Sequence, residues 1–179
     1  MDIPSKESLT VEFKSDTSGS AAKSGIDEDI LVNATVAMFN SEGGALYLGV
    51  EDDATPTGLN PKHADPIGLA AFLANKTMPP IRVEAELGSV SGVEVLRVAV
   101  PKGNVVGATS DGRILKRVMR VDGTPENIPM YPFEIATRLG NLGKLDFSNE
   151  AVSDATIADF DPIEVERLRR LIGSLPDSD

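Results

Sequence analysis

Carboxylates are the reactive side chains that this sequence supplies in quantity. It contains no cysteine, and its single histidine, His63, sits in the polar loop Asn60-Pro61-Lys62-His63-Ala64-Asp65, where it reads as exposed and solvated. Thiolate nucleophiles, thiolate metal sites and disulfides are therefore excluded, and Ser-His-Asp chemistry has little to draw on. No G-x-x-x-x-G-K-[ST] occurs, so the chain has no phosphate loop for nucleotide hydrolysis, and no G-x-G-x-x-G follows a strand. What remains is Glu7, Glu12 and the run Glu51, Asp52, Asp53. If the segment bearing Glu12 pairs beside the segment that leads to Glu51, then Glu7, Glu12 and one acid of that run meet. Three carboxylates at one point repel one another, so either a pKa rises or a hard cation such as Mg2+ or Mn2+ is held. Lys14 shares a strand face with Glu12. An ammonium beside such an ion is the equipment of metal-dependent phosphodiester cleavage, where it stabilises developing charge or positions water. The same E-x-K spacing is more commonly an ordinary surface ion pair.

The elements that must position these acids are legible as patterns. Ser8 to Lys14 alternates Leu9, Val11 and Phe13 against Thr10, Glu12 and Lys14, the period of a half-buried strand. Glu7 precedes Glu12 by an odd offset, which places it in the approach to the strand or at a bulge, from which it can turn back beside Glu12. Residues 15–25 are small and polar and read as a flexible loop. Ile30, Leu31, Ala34, Ala37 and Met38 then recur at helical spacing with Val36 and Phe39 on the flanks, predicting a helix buried on most sides. Ser24 or Asp27 can cap it, and it stops at Asn40. Gly43 and Gly44 supply the positive φ of a sharp reversal. The strand Ala45 to Val50 follows and delivers Glu51, Asp52 and Asp53 at its exit.

Further along, Pro66 to Lys76 predicts a helix with Ile67, Ala70, Ala71 and Ala74 at helical spacing and Leu69, Phe72 and Leu73 alongside, stopped by Pro79-Pro80. Ile81 to Leu87 and Val93 to Val100 alternate around Gly-Ser-Val-Ser-Gly and predict a hairpin. Arg113 to Val121 reads as an edge strand or protruding ribbon, with Lys116 and Arg120 on one face and Arg113 and Arg117 on the other. Pro129 to Leu139 predicts a last core helix. Asp161-Pro162-Ile163-Glu164 carries an N-cap acceptor, a first-turn proline and a carboxylate, and opens an amphipathic helix with Val165, Leu168, Leu171 and Ile172 as its stripe. These elements make an α+β fold: a mixed β-sheet of about five or six strands with two core helices packed on it, plus a C-terminal helical extension. The expected boundaries are a domain over 1–147 and a polar linker with amphipathic helix over 148–179, a lead-in to a following domain.

The chain of 179 residues carries a formal net charge of -11, which opposes indiscriminate binding to phosphate backbones. Its distribution is uneven. Lys102, Arg113, Lys116, Arg117 and Arg120 fall within 19 residues that hold a single acid, Asp111, so this stretch is a candidate phosphate contact. No apolar run reaches the roughly 18 residues of a membrane span, and the absence of a leader pattern and of cysteine points to the cytoplasm.

The residues E-S-L-T-V-E-F-K at 7–14, A-M-F-N-S-E-G-G-A-L-Y-L-G-V-E-D-D at 37–53 and T-G-L at 57–59 resemble the Schlafen AlbA_2 domain. The resemblance extends through V-P-K-G at 100–103 and N-I-P-M-Y-P-F-E-I-A-T-R at 127–138, covering roughly residues 5–145. It implies a nucleic-acid-acting module. For members that cleave tRNA and other structured RNA, it implies a metal-dependent endoribonuclease site that takes Glu7, Glu12 and Asp52 as ligands of Mg2+ or Mn2+, with Lys14 assisting. Glu51 departs from the aspartate more usual in the family. Other members are known as DNA-binding domains of bacterial regulators or as the leading part of ATPase or helicase-like proteins, so a non-catalytic DNA-binding module is the alternative. The cleaving members set two such modules side by side, so an equivalent groove here requires a homodimer. RNA is the favoured partner over DNA, and no membrane or nucleotide site is expected.

Overall fold

The computed structural model describes residues 1–17, 25–145 and 154–173, with the side chain of Ile157 left undescribed. The chain divides into two compact units, Met1–Lys144 and Leu145–Asp179. Ser24, one of the two expected helix caps, and most of the 15–25 loop lie outside the described residues, as does much of the tail from Asn149 to Ile157.

In the first unit, β1 (Val11–Lys14) lies parallel to β2 (Gly44–Leu48), with Glu12 opposite Leu46 and Lys14 opposite Leu48. Strand β5 (Val93–Val100) runs antiparallel to β2 on its other side, and β4 (Glu84–Val90) pairs with β5 as the expected hairpin. The order β1-β2-β5-β4 makes a mixed four-stranded sheet, and the α+β reading holds. The sheet is narrower than the five or six strands expected, because four short strands leave it as two ribbons. Strand β3 (Thr77–Met78) pairs with β6 (Ala108–Thr109), and β7 (Leu115–Met119) with β8 (Pro125–Pro129).

Helix α1 (Glu28–Phe39) is the centre of the core. Leu31, Val32, Ala34, Val36, Ala37 and Met38 are all buried, and they meet Leu46, Leu48, Leu96 and Val98 on one face of the sheet. Burial of a Leu, Val or Met side chain is worth about 1.5–3 kcal/mol, so this face dominates the stability of the unit. The other face carries a second cluster in which Phe13 meets Tyr47 edge to face, with centroids 5.9 Å apart. Both faces are therefore covered, and this decides the fate of Glu12 below. Ile30 departs from the expected pattern and is half exposed. Asp27 is the helix cap, with its Oδ1 accepting from Asp29 N–H at 2.9 Å. Asp27→Ala should therefore cost about 1 kcal/mol in a urea melt, while an unchanged midpoint would show the cap to be idle. Asn40 closes α1, and Gly43 (φ 70°) and Gly44 (φ 143°) reverse the chain. Any Cβ on Gly44 would collide with the Thr10 carbonyl, so only glycine lets β2 reach β1.

Helix α2 (Pro66–Asn75) buries Leu69 and Leu73 rather than the face through Ile67, which is 82% exposed. Helix α3 (Pro132–Asn141) has no fully buried residue, so it sits on the surface instead of completing the core. In the second unit, α4 (Pro162–Gly173) starts as expected, with Asp161 Oδ1 accepting from Ile163 N–H at 2.8 Å, and Leu168, Leu171 and Ile172 of its stripe are exposed. Among the described residues, no helix is long and apolar enough to cross a membrane.

Candidate nucleic-acid interface

Strand β1 lies at the margin of the sheet, so the amides and carbonyls of its odd-numbered residues face away from β2. Side chains take them up. Glu7, in the approach to the strand, folds back so that its Oε1 accepts from Phe13 N–H at 2.7 Å. The Lys14 ammonium donates to the Phe13 carbonyl at 2.9 Å. Arg117, from β7, donates to the carbonyls of Ser8 and Val11, each at 2.9 Å, and to Asn127 at 3.0 Å.

Glu12 points towards the α1 side of the sheet and is only 5% exposed. The alternation in β1 correctly separates two faces, but because the second face is also covered, the carboxylate has no water to meet. It is paired instead with Lys14 at 2.5 Å and with the guanidinium of Arg117. Arg117 reaches it because Asn40, at the end of α1, donates to the carbonyls of Gly107 and Leu115, while Ser41 Oγ accepts from Arg117 N–H at 2.8 Å. The helix terminus thus clamps β7 over β1. Burial pushes the pKa values of Lys14 and Arg117 down. The charges of Glu7 and Asp52 partly restore that of Lys14, and Glu7 that of Arg117.

The expected metal ligands surround Lys14 but are separately engaged. Glu7 accepts from the backbone, Glu12 is neutralised by two cations, and Asp52 is exposed on the turn that follows β2. Among the described residues, no three acidic or histidine side chains are grouped to hold a metal ion. A divalent cation at Glu12 would have to displace a buried guanidinium, so the residues present do not fit Mg2+ or Mn2+ in this arrangement.

The basic candidates are also partnered, by acids both near and far in the chain. Lys102 meets Glu42 at 2.6 Å, Arg113 meets Asp111 at 3.0 Å and Asp29 at 3.6 Å, Lys116 pairs with Glu134, and Arg120 grips both oxygens of Glu126. Lys116 holds the Glu134 carboxyl below the usual carboxylate range, and Arg120 does the same to Glu126. Arg117 is 5% exposed and cannot serve as a surface phosphate contact.

Two of these cations nevertheless face one concavity. A cleft of about 600 Å³ is lined by Asn40, Ser41 and Glu42 from the end of α1, by Lys102 and Lys116, and by Phe133, Glu134 and Arg138 of α3. Arg138 is missing from the sequence-level candidates. Its Nη2 donates to the Gly103 carbonyl at 3.0 Å, and its Nε finds no acceptor among the described residues. Burial pushes its pKa down, with Glu42 opposing. The available signal was the i, i+4 placement of Glu134 and Arg138 on one amphipathic helix. His63 and Asp16 also depart from expectation. His63 is buried, with its Nδ1 2.8 Å from Oδ1 of a fully buried Asp16.

The DIP2311 protein from Corynebacterium diphtheriae has a similar fold, with a TM-score of 0.58 at 19% identity over 94% of this chain and 31% of that one. The N-terminal domain of a RecG-related protein from Nitrosomonas europaea, named for ATP-dependent DNA helicases, is 27% identical over 54% of this chain and 65% of that domain, with a TM-score of 0.36. The chain therefore spans less than two thirds of either protein. No curated protein matches it. The Schlafen AlbA_2 family model matches residues 7–123, more than half the chain, which bears out the motifs at 7–14 and 37–59 and associates the chain with nucleic acid. The chain belongs to the Schlafen AlbA_2 family.

Proposed function

We propose that this chain is a nucleic-acid-binding module that grips the phosphate backbone without cutting it. The observation that carries the reading is the convergence of Lys102, Lys116 and Arg138, from three separate segments, on one cleft. Their pairing with Glu42 and Glu134 does not oppose it. The exposed Lys102–Glu42 pair is worth about 0–1 kcal/mol, so a phosphate can replace Glu42 at little cost, while the part-buried Lys116 ammonium keeps further donors for a phosphate beside Glu134. The engagement of Glu7 by the Phe13 amide and the Arg117 guanidinium on Glu12 favour binding over hydrolysis.

Fluorescence anisotropy with labelled DNA and RNA oligonucleotides, across 50–200 mM salt, tests the reading. Affinity should fall steeply with salt, and the paired change Lys102→Ala with Lys116→Ala should weaken binding about tenfold and flatten the salt slope by about two contacts. Binding that ignores both changes, or none at low salt, would sink it. Metal-dependent ribonuclease action remains the second reading, because Glu7 and Asp52 both lie near enough to Lys14 for their charges to shift it. Incubation of structured RNA with Mn2+ separates the two. The binding reading expects the protein and its Glu12→Gln variant to leave the RNA equally intact, whereas cleavage by the unaltered protein alone would reinstate hydrolysis.

A further inference from the structure

We infer that Tyr131 and Phe133 form a base-stacking platform at the rim of the Lys102–Lys116–Arg138 cleft, so that the preferred ligand is a single strand. This inference rests on the binding reading above and deepens it. The two rings are 60% and 70% exposed, nearly parallel at 5°, with centroids 6.2 Å apart. Aromatic residues are scarce in this chain, at 4% of the total, and showing two of them to water side by side forgoes the burial that Phe13, Phe39 and Tyr47 obtain.

Their presentation is rigid. Pro132 occupies the first turn of α3, and Glu134 Oε2 accepts from Tyr131 N–H at 2.9 Å. The other oxygen of Glu134 pairs with Lys116, which fastens the start of the helix to β7. One carboxylate thus fixes both the ring-bearing turn and a phosphate-seeking ammonium. Phe133 lines the same cleft as Lys102, Lys116 and Arg138, whose charges outnumber those of Glu42 and Glu134. Flat apolar faces beside cations match a nucleotide, which offers a π face and an anion a short reach apart. A duplex keeps its base faces stacked inside, so only an unpaired strand can satisfy both halves of the site. The contact reads neither base edges nor the 2′-hydroxyl, so unpaired DNA and RNA both qualify.

The full chain, titrated against fluorescein-labelled oligo-dT, oligo-U and a self-complementary DNA hairpin of equal length, tests this. Single strands should bind at least about tenfold tighter than the hairpin. Phe133→Leu should cost about tenfold on single strands, the scale of one lost stacked base, and leave hairpin affinity and the salt slope unchanged. Phe133→Trp should retain the affinity. Phe133 is exposed, so both variants should melt like the parent. Equal affinity for strand and hairpin, or indifference to Phe133→Leu with binding intact, would overturn the platform while leaving the cleft reading standing. No binding by the unaltered protein would remove both. Concentration-dependent self-association in sedimentation velocity, abolished by Phe133→Leu without change in oligonucleotide affinity, would assign the rings to a second copy and also overturn the platform.

Discussion

Replacing Arg117 by methionine should lower the unfolding free energy by about 3–5 kcal/mol, the scale of removing one partner from a buried ion pair. The loss has several sources. Glu12, 5% exposed, would keep only Lys14, and the carbonyls of Ser8 and Val11 would lose charge-assisted donors. A fall in Tm of about 10 °C accompanies a destabilisation of this size. Urea unfolding of the single variant and of the double change Arg117→Met with Glu12→Gln measures it. The double variant should recover part of the loss, because the uncompensated carboxylate is then neutral. A single-variant loss under about 1 kcal/mol, or no recovery, would show that the pair is peripheral to folding.

Asp16→Ala should have the second largest effect, about 3 kcal/mol. Its Oδ1 accepts from Ile26 N–H at 2.9 Å and contacts His63 Nδ1 at 2.8 Å, and its Oδ2 accepts from Asn60 N–H at 2.8 Å. Alanine would leave the buried Ile26 amide and His63 ring and the part-buried Asn60 amide without their acceptor, each buried group at a cost of about 1–3 kcal/mol before relaxation or water entry. The carboxylate joins three places at once: the end of β1, the approach to α1 and the turn Pro61–His63. Amide exchange should therefore accelerate at Ile26 and Asn60 well before the core amides of β2 and β5 respond. Uniform acceleration across the unit would contradict this local role. His63→Ala, which removes one partner and leaves two, should cost less than Asp16→Ala.

What the sequence revealed and what it hid divide along the distance between partners. The β1 alternation, the Gly43-Gly44 reversal and the β4–β5 hairpin were legible because each rests on contacts between residues close in the chain. Glu12 was read on the right face with the wrong surroundings, since nothing near it announces that α1 and β7 cover that face. Its partner Arg117 lies more than a hundred residues away, and Asp16 meets His63 across 47 positions. The basic stretch from Lys102 to Arg120 misled for the same reason. Its charge is real along the chain but is offset in space by Asp29, Glu42 and Glu134. Strand β8 went unread because prolines bound it at Pro125 and Pro129, and proline argues against strand everywhere except in marginal ribbons such as this one. Ile67 shows the limit of periodicity, which finds a helical face without saying whether the core lies beneath it.

The side chains that close the outer flank of β1 have a further consequence, for what this protein does in company. An uncovered strand is a template on which a foreign chain can zip, whether as a designed docking mode or as the seed of a fibre. Here Glu7, Lys14 and Arg117 already hold the groups that such an intruder would need. Recruitment by strand addition is thereby barred on that flank, and loss of Arg117 should raise turbidity on standing as well as lower the melting point.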